Sequence, residues 1–384
     1  MDTKKMKWTT IVGVFCLLLT CTFPAHAKAP EEVSITSYGV GTAAYIFSAS
    51  IADAVKKVSG ITTRVIPAGN DMGRVLPLRA GEVDFSILTS TTGWFVSHGA
   101  ADFANATWGP QPIRMAWRGG NLFIGYYTRG DSGIKKLSDL KGKRVGQIPG
   151  SASLNNLIQG ALAFGGLTLE DCTVIRLPGH TVAGKALTQG AIDFYIFGTT
   201  GSCPVETSAS PHGIYWFNMS PEDKGGWKRY YDWCPWTTEA LVTRYAGKDK
   251  GIKPFHGATY PYNMWAWDKT SVETVYAYAK AMWESYDIYK SMHAELSGWN
   301  HQNLANIEGC FYPYHEGVIK LMKEKGVWTT EHEKFQKTQL DNEAKRMKLW
   351  AEAKKEAKAK KIKVGKDQWK KLWWNKLVEA GLLR

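Results

Sequence analysis

Residues Val33–Val55, VSITSYGVGTAAYIFSASIADAV, change period halfway along. Val33 and Ile35 alternate with Ser34 and Thr36, the pattern of a strand buried on one face. Gly39 and Gly41 break it, and Ile46, Ala49, Ile51, Ala54 and Val55 then recur at helical spacing, leaving Asp53 and Lys56 to water. Thr42 stands where a helix cap belongs. The glycines let backbone approach closely, and a helix N-terminus presents unpaired N–H groups and about half a positive charge. A strand, a glycine turn and a helix in this order predict an α/β fold with a seat for a small anion beyond the strand.

The same unit recurs downstream. Thr62–Pro67 reads as a second strand running into Gly69-Asn70-Asp71-Met72, with a helix to Gly81, and Val83–Ser90 as a third strand ending in hydroxyls. Asn121–Thr128 is an extended crossing. A second set follows: strand Val145–Ile148 into Pro149-Gly150-Ser151-Ala152-Ser153 and a helix, strand Thr173–Leu177, helix Val182–Thr188, and strand Ile192–Phe197 into Gly198-Thr199-Thr200. These strands are expected to form a second sheet, with Gly213–Asn218 beside it. Leu241–Tyr245 and Tyr262–Asp268 read as return crossings, and a helix is expected from about Ser271 to Lys290. Two α/β lobes joined by extended crossings predict a cleft that closes by hinge bending. Small polar loops at the carboxyl ends of the strands put the ligand in that cleft.

The termini differ from this middle. A basic head, an apolar run from about Thr10 to Phe23 and Ala25-His26-Ala27 describe a secretory signal peptide cleaved after Ala27, with a lipoprotein at Cys21 as the alternative. Residues 331–384 hold sixteen Lys and Arg against eight Asp and Glu, so most of the +13 net charge belongs to this tail. Charge is therefore no argument for nucleic-acid binding, and no nucleic-acid module signature is present. Trp369, Leu372, Trp373, Lys376, Leu377 and Ala380 recur at spacings of three and four. They form an amphipathic helix that docks on a lobe, forms a dimer contact or meets a membrane surface. Cys172, Cys203, Cys234 and Cys310 lack zinc spacing; Cys203 and Cys234 pair, or all four stay as thiols.

Enzyme motifs fail one by one. Gly39-x-Gly41-x-x-Ala44 resembles a dinucleotide fingerprint, but the second strand ends Val65-Ile66-Pro67-Ala68-Gly69, without the acidic residue that holds a ribose. Gly130-Asp131-Ser132-Gly133 has no histidine context for a triad. His315-Glu316 lacks the second histidine of a zinc helix, since position 319 is Ile319. No catalytic residue, cofactor or metal is expected. The hydroxyl and amide loops suit binding instead: Tyr38, Thr42, Tyr45, Asn70, Ser90, Thr91, Ser151, Ser153, Thr199 and Thr200 supply neutral donors for a carboxylate. Arg74 and Arg118 are candidates for a bidentate contact. The many tryptophans, among them Trp94, Trp108, Trp117, Trp216, Trp227, Trp233, Trp236, Trp265 and Trp267, are scattered and read mostly as packing.

Residues 33–328 resemble the TAXI-type solute-binding proteins of tripartite ATP-independent periplasmic (TRAP) transporters. The matches are Gly39-x-Gly41 with Tyr45, Ala68-Gly69-Asn70, Leu-x-x-Gly81-Glu82-Val83-Asp84, the long run Asp131-Ser132-Gly133-Ile134-Lys135-x-Leu137-x-Asp139-Leu140-Lys141-Gly142-Lys143-Arg144-Val145, Pro149-Gly150-Ser151 and Gly190-x-Ile192-Asp193. Thr42-Ala43 stand where the family usually has a glycine pair, and Asn70-Asp71 where it often has Gly-Ser; both lie in the expected cleft. The chain divides into the signal peptide 1–27, the first lobe 28–120, the second lobe 121–240, a hinge return and remainder of the first lobe 241–330, and the C-terminal helical extension 331–384, which lies outside the resemblance. The resemblance implies an α/β, two-lobe periplasmic binding protein (type II-like) with hinge-connected lobes and a central cleft. It implies a monomer or dimer in the periplasm that binds a small organic anion and delivers it to the integral-membrane TRAP permease subunits. Tyr38, Gly39, Gly41, Thr42, Tyr45, Asn70, Asp71, Met72, Ser90, Thr91, Arg118, Gly150, Ser151, Ser153, Thr199 and Thr200 are the expected ligand contacts. An ABC-transporter binding protein, a periplasmic sensor and a secreted Trp-rich enzyme or carbohydrate-binding protein are the alternatives.

Overall fold

The computed structural model describes residues 29–383. The expected signal peptide and the Cys21 alternative lie outside them. The chain opens with β1 (Glu32–Tyr38), α1 (Ala43–Ser59), β2 (Thr62–Ala68), α2 (Asp71–Ala80), β3 (Phe85–Thr89) and α3 (Ser90–His98). β1 lies between β2 and β3 and is parallel to both, with Ile35 opposite Val65 and Phe85. The alternation read from the sequence is met in part: Val33 and Ile35 are buried, but so are Thr36 and Ser37, because the end of β1 is covered on both faces. The helix α1 sinks Ile51, Ala54 and Val55 as expected, with Phe47 in place of Ile46, which is half-buried, and Ala49, which is exposed.

Two long strands then decide the architecture. β4 (Ile113–Arg129) and, much later, β10 (Phe255–Trp267) run antiparallel along most of their lengths. The C-terminal half of β10 pairs with β3, and its N-terminal half pairs with β9 (Thr238–Val242). The C-terminal half of β4 pairs with β7 (Tyr195–Gly198) and β8 (Ile214–Trp216). The ribbon thus passes from one lobe into the other. Midway along it the register shifts between Pro261 and Asn263, opposite Gly119 and Gly120. A Cβ on Gly119 would lie 2.3 Å from the Tyr262 carbonyl oxygen and one on Gly120 2.7 Å from Gly298 Cα. The crossing is narrow there, and side chains are excluded by the neighbouring backbone.

Between these strands lie β5 (Arg144–Gln147), α4 (Ala152–Phe164), β6 (Thr173–Arg176), α5 (His180–Thr188), α6 (Ser202–Ala209) and α7 (Lys224–Trp233). The separate second sheet expected from the sequence is divided. β5 and β6 pair only with each other, and β7 joins the large sheet in the order β2-β1-β3-β10-β4-β7. The cause is the length of β4, whose far half offers an edge that β7 fills. A parallel bridge, Val145 to Phe194, ties the two parts, flanked by the Arg144–Asp193 ion pair. The helix expected over 271–290 divides into α8 (Val272–Glu284) and α9 (Tyr286–Tyr289). After α10 (His301–Ala305) and α11 (Glu316–Glu324) come the two helices of the extension, α12 (Thr330–Ala359) and α13 (Asp367–Glu379).

Docking by tryptophan is what the extension does. Trp350, Trp369 and Trp373 meet edge-on at 4.7 and 4.8 Å and, with Ala353, Ala357, Leu377 and Leu382, enclose Ala104 in a small core of their own. Trp373 Nε1 donates to the His98 carbonyl at 2.9 Å, and Trp94 Nε1 donates to that of Leu383 at 3.1 Å. Arg114 holds Glu343 through both nitrogens at 2.7 and 3.0 Å. Of the tryptophans named above, Trp94, Trp108, Trp117, Trp216, Trp227, Trp265 and Trp267 are buried, whereas Trp233 is exposed. The four cysteines among the described residues are thiols: Cys203 donates to Thr181 O and Cys234 to Asn156 O, so the alternative Cys203–Cys234 pairing is not made. Among the described residues no helix is long and apolar enough to cross a membrane.

Candidate functional site

The loops at the carboxyl ends of β1 and β2 face those after β5, β6 and β7, and they meet directly. Met72 N–H donates to Gly150 O at 3.0 Å, His180 N–H to Gly69 O at 3.0 Å, and Ser202 N–H to Gly41 O at 3.0 Å. Asn70 caps α2 by accepting from Gly73 N–H at 2.8 Å, and its amide donates to Pro149 O at 3.1 Å. Close approach explains the glycines. Gly41 sits at φ +87°, and a Cβ on it would lie 2.3 Å from Ser202 Oγ; one on Gly69 would lie 3.0 Å from Pro178 O. Gly39 is as tight against Thr181 Oγ1, at 3.0 Å.

At the centre of this seam is Asp71, fully buried at the start of α2. Its Oδ1 accepts from Tyr38 OH at 2.8 Å, Arg74 Nη2 at 2.6 Å, Ser153 Oγ at 3.0 Å and Thr92 Oγ1 at 3.3 Å. Its Oδ2 accepts from Ser153 N–H at 2.9 Å. Tyr38 OH also lies 3.2 Å from Ser151 Oγ. Arg74, equally buried, lies over the Tyr38 ring at 3.4 Å and donates to Ile87 O at 2.8 Å. A buried carboxylate with a cation and four further donors is the condition under which a charge is tolerated away from water. Ser151 opens α4 yet makes no cap bond with its own side chain. Asp71, from the other lobe, takes that place.

Beside Tyr38 lies a small cavity with neutral walls, whose lining does not include Asp71 or Arg74. Tyr38, Tyr260, Tyr262, His180, Phe197 and Leu154 are among the residues lining this cavity of ≈ 10 Å³, room for about one water. Burial, and then the Arg74 charge, push His180 down to about 3. It stays neutral, with Nδ1 3.0 Å from Tyr195 OH and its ring stacked on Phe197 at 4.1 Å. Burial raises the Tyr38 phenol well above its ordinary value and takes Tyr262 up to about 12. Both remain hydroxyl donors at neutral pH.

Of the residues expected at the site, Tyr38, Gly39, Gly41, Asn70, Asp71, Met72, Gly150, Ser151 and Ser153 come together at this seam. Thr42 caps α1, accepting from Tyr45 N–H at 3.3 Å, and lines the cavity. Ser90 and Thr91 start α3 with buried hydroxyls that have no hydrogen-bond partner among the described residues. The neighbouring Thr92 is the one that reaches Asp71. Thr199 donates to Arg244 O at 2.7 Å and Thr200 to Glu295 at 3.3 Å, so neither joins the Asp71 cluster. Nor does Arg118, whose guanidinium holds the carbonyls of Asn306 and Glu308. Sequence reasoning missed Thr92, His180, Ser202 and Tyr262. For His180 a signal existed: Pro178-Gly179-His180 repeats Pro149-Gly150-Ser151 at the end of the next strand. Among the described residues no cluster of histidine, cysteine and carboxylate side chains is able to hold a metal.

Comparison with known proteins finds the NMT1-like family matching residues 35–326. The solved structure of periplasmic binding protein BugD overlays with a TM-score of 0.50 at 14% identity, covering 77% of this chain and 98% of that one. The aliphatic sulphonate binding protein SsuA from Escherichia coli matches at 18% identity over 69% of this chain and 75% of its own, with a TM-score of 0.36. A protein from Bordetella bronchiseptica RB50 matches at 17% identity over 78% and 90%, with a TM-score of 0.45.

Proposed function

We propose that this chain, which belongs to the NMT1-like family and has the two-lobe fold of a periplasmic solute-binding protein, captures a small organic acid between its lobes and delivers it to a TRAP-type membrane permease. One observation supports the acid above others. Five donors contributed by both lobes converge on a single carboxylate, that of Asp71. Donors that hold one carboxylate at 2.6–3.3 Å suit another of the same shape, and charge-assisted bonds of this kind are the strong ones. The work done is conformational. A solute that touches both lobes holds them closed around itself, and flexing where the crossing strands shift register, at Gly119, Gly120 and Pro261, would let the lobes separate to admit it.

The permease type rests on the TAXI resemblance, for which the opening glycine turn at Gly39 speaks; the Asp131–Val145 run marks periplasmic binding proteins more broadly. A chain of this fold also fits an ATP-driven permease, and the neighbouring genes separate the two, since only the latter has an ATPase. The solute class is tested by a thermal-shift panel on the ligand-stripped chain 28–384, with amino acids, dicarboxylates, 2-oxoacids, sulfonates, sugars and metals at about 1 mM. An acid with a dissociation constant of about 1 μM stabilises by roughly 4 kcal/mol at that concentration, a shift of several degrees. Shifts confined to sugars or metals would contradict the acid reading.

A further inference from the structure

The two lobes are joined at the start of α4 by a carboxylate that belongs to the chain. In a trap closed by its solute, the charged group bridging the helix N-terminus of one lobe to the other lobe is brought in from outside. Here Asp71 bridges. It caps α4 in trans through Ser153 N–H and Ser153 Oγ, while Arg74, Tyr38 and Thr92 hold it from its own lobe. The fit is not casual. Ser151 leaves its capping position unused, Gly150 takes φ +74° to bring its carbonyl to Met72 N–H, and both partners of the ion pair are fully buried.

We propose that Asp71 is a tethered carboxylate that holds the lobes together through the α4 N-terminus, and that an acid solute binds by displacing it from Ser153. The second half rests on the acid reading above; the first does not. Two carboxylates cannot share these donors without repulsion. A solute acid therefore takes Ser153 only when Asp71 leaves, and the fraction of molecules with Asp71 released sets the apparent affinity. Arg74 need not move, since Ile87 O and the Tyr38 ring hold it inside the first lobe. Asp71 then acts as a specificity filter: only acids whose contacts outweigh its own are captured.

The test uses the full chain 28–384, stripped of ligand, with small-angle scattering and a fluorophore pair placed across the lobes. The wild type is expected to be closed without solute, Asp71→Ala open, and Ser153→Ala, which leaves the Asp71–Arg74 pair intact, partly open. If Asp71→Ala does not fold, Ser153→Ala and Tyr38→Phe carry the same comparison. Variants as closed as the wild type would overturn the tether, and so would a wild type that is open. Affinity is then read for the acids of the panel. Asp71→Ala is expected to bind them tighter, about ten-fold for a wild type with Asp71 released in about one molecule in ten. Equal or weaker binding would overturn displacement. If the variants open but neither protein binds any acid, the tether stands, displacement falls, and the acid reading fails with it.

Discussion

Of the helices that begin at the seam between the lobes, two follow turns that look alike in sequence: Gly39-Val-Gly41-Thr42 before α1 and Pro149-Gly150-Ser151 before α4. Their N-termini are satisfied differently. Thr42 turns back on its own helix, accepting from Tyr45 N–H and donating to Gly39 O at 2.8 Å. Ser151 does not, and the donor at Ser153 is met by Asp71 from the opposite lobe. A cap made locally stabilises a helix; a cap made in trans stabilises an arrangement of lobes. The same short polar residues serve both ends, and only the location of the acceptor separates them.

Three experiments sharpen the contrast. Asp71→Ala strands the Arg74 charge in a buried site, and breaking a buried pair in this way costs about 3–5 kcal/mol; chemical denaturation reads it, alongside the opening described above. Acid pH comes next. His180 is held at about 3 and His315 at about 4, and His98 well below the usual range, by burial in each case first. Above about pH 6.5 these histidines are neutral in the folded and unfolded chain alike. Below it the unfolded chain takes up protons that the folded chain refuses, so stability falls as pH drops from about 6.5 towards these depressed values. The slope is about 1.4 kcal/mol per pH unit per histidine. Part of the His180 enclosure is supplied by Tyr38 and Gly69 of the other lobe. Closure is therefore expected to weaken over the same window, which scattering at pH 7 and pH 5 reads. The smallest effect is that of Thr42→Ala, about 1 kcal/mol for the lost cap. Thr42→Ala leaves the lobes closed.

The α/β class, the glycine turns and the meeting of strand-end loops were legible because each rests on local pattern: alternation at the start of β1, helical spacing in α1, the Pro-Gly pair after β5. Legibility ended where a residue's partner is distant in the chain. Arg118 and Arg74 are equally plausible guanidiniums in one dimension. Arg74 lies one helical turn after Asp71 and beneath Tyr38, whereas Arg118 sits where the 306–308 loop offers it two carbonyls. The sequence puts Asp71 in the cleft as a contact for a solute. Its opposite role, as an occupant of the seat, follows only from Ser153 standing across from it. Thr199 and Thr200 follow a strand end like the others, but β7 joins β4 in the large sheet, and their hydroxyls turn to Arg244 and Glu295.

The most direct test of the trans cap is hydrogen exchange at two amides, Ser153 and Tyr45, in the wild type and in Asp71→Ala. The account predicts both protected in the wild type, and protection lost at Ser153 alone in the variant, because the cap at Tyr45 is local. Equal protection of Ser153 with and without the Asp71 carboxylate, or parallel loss at both amides, would contradict it.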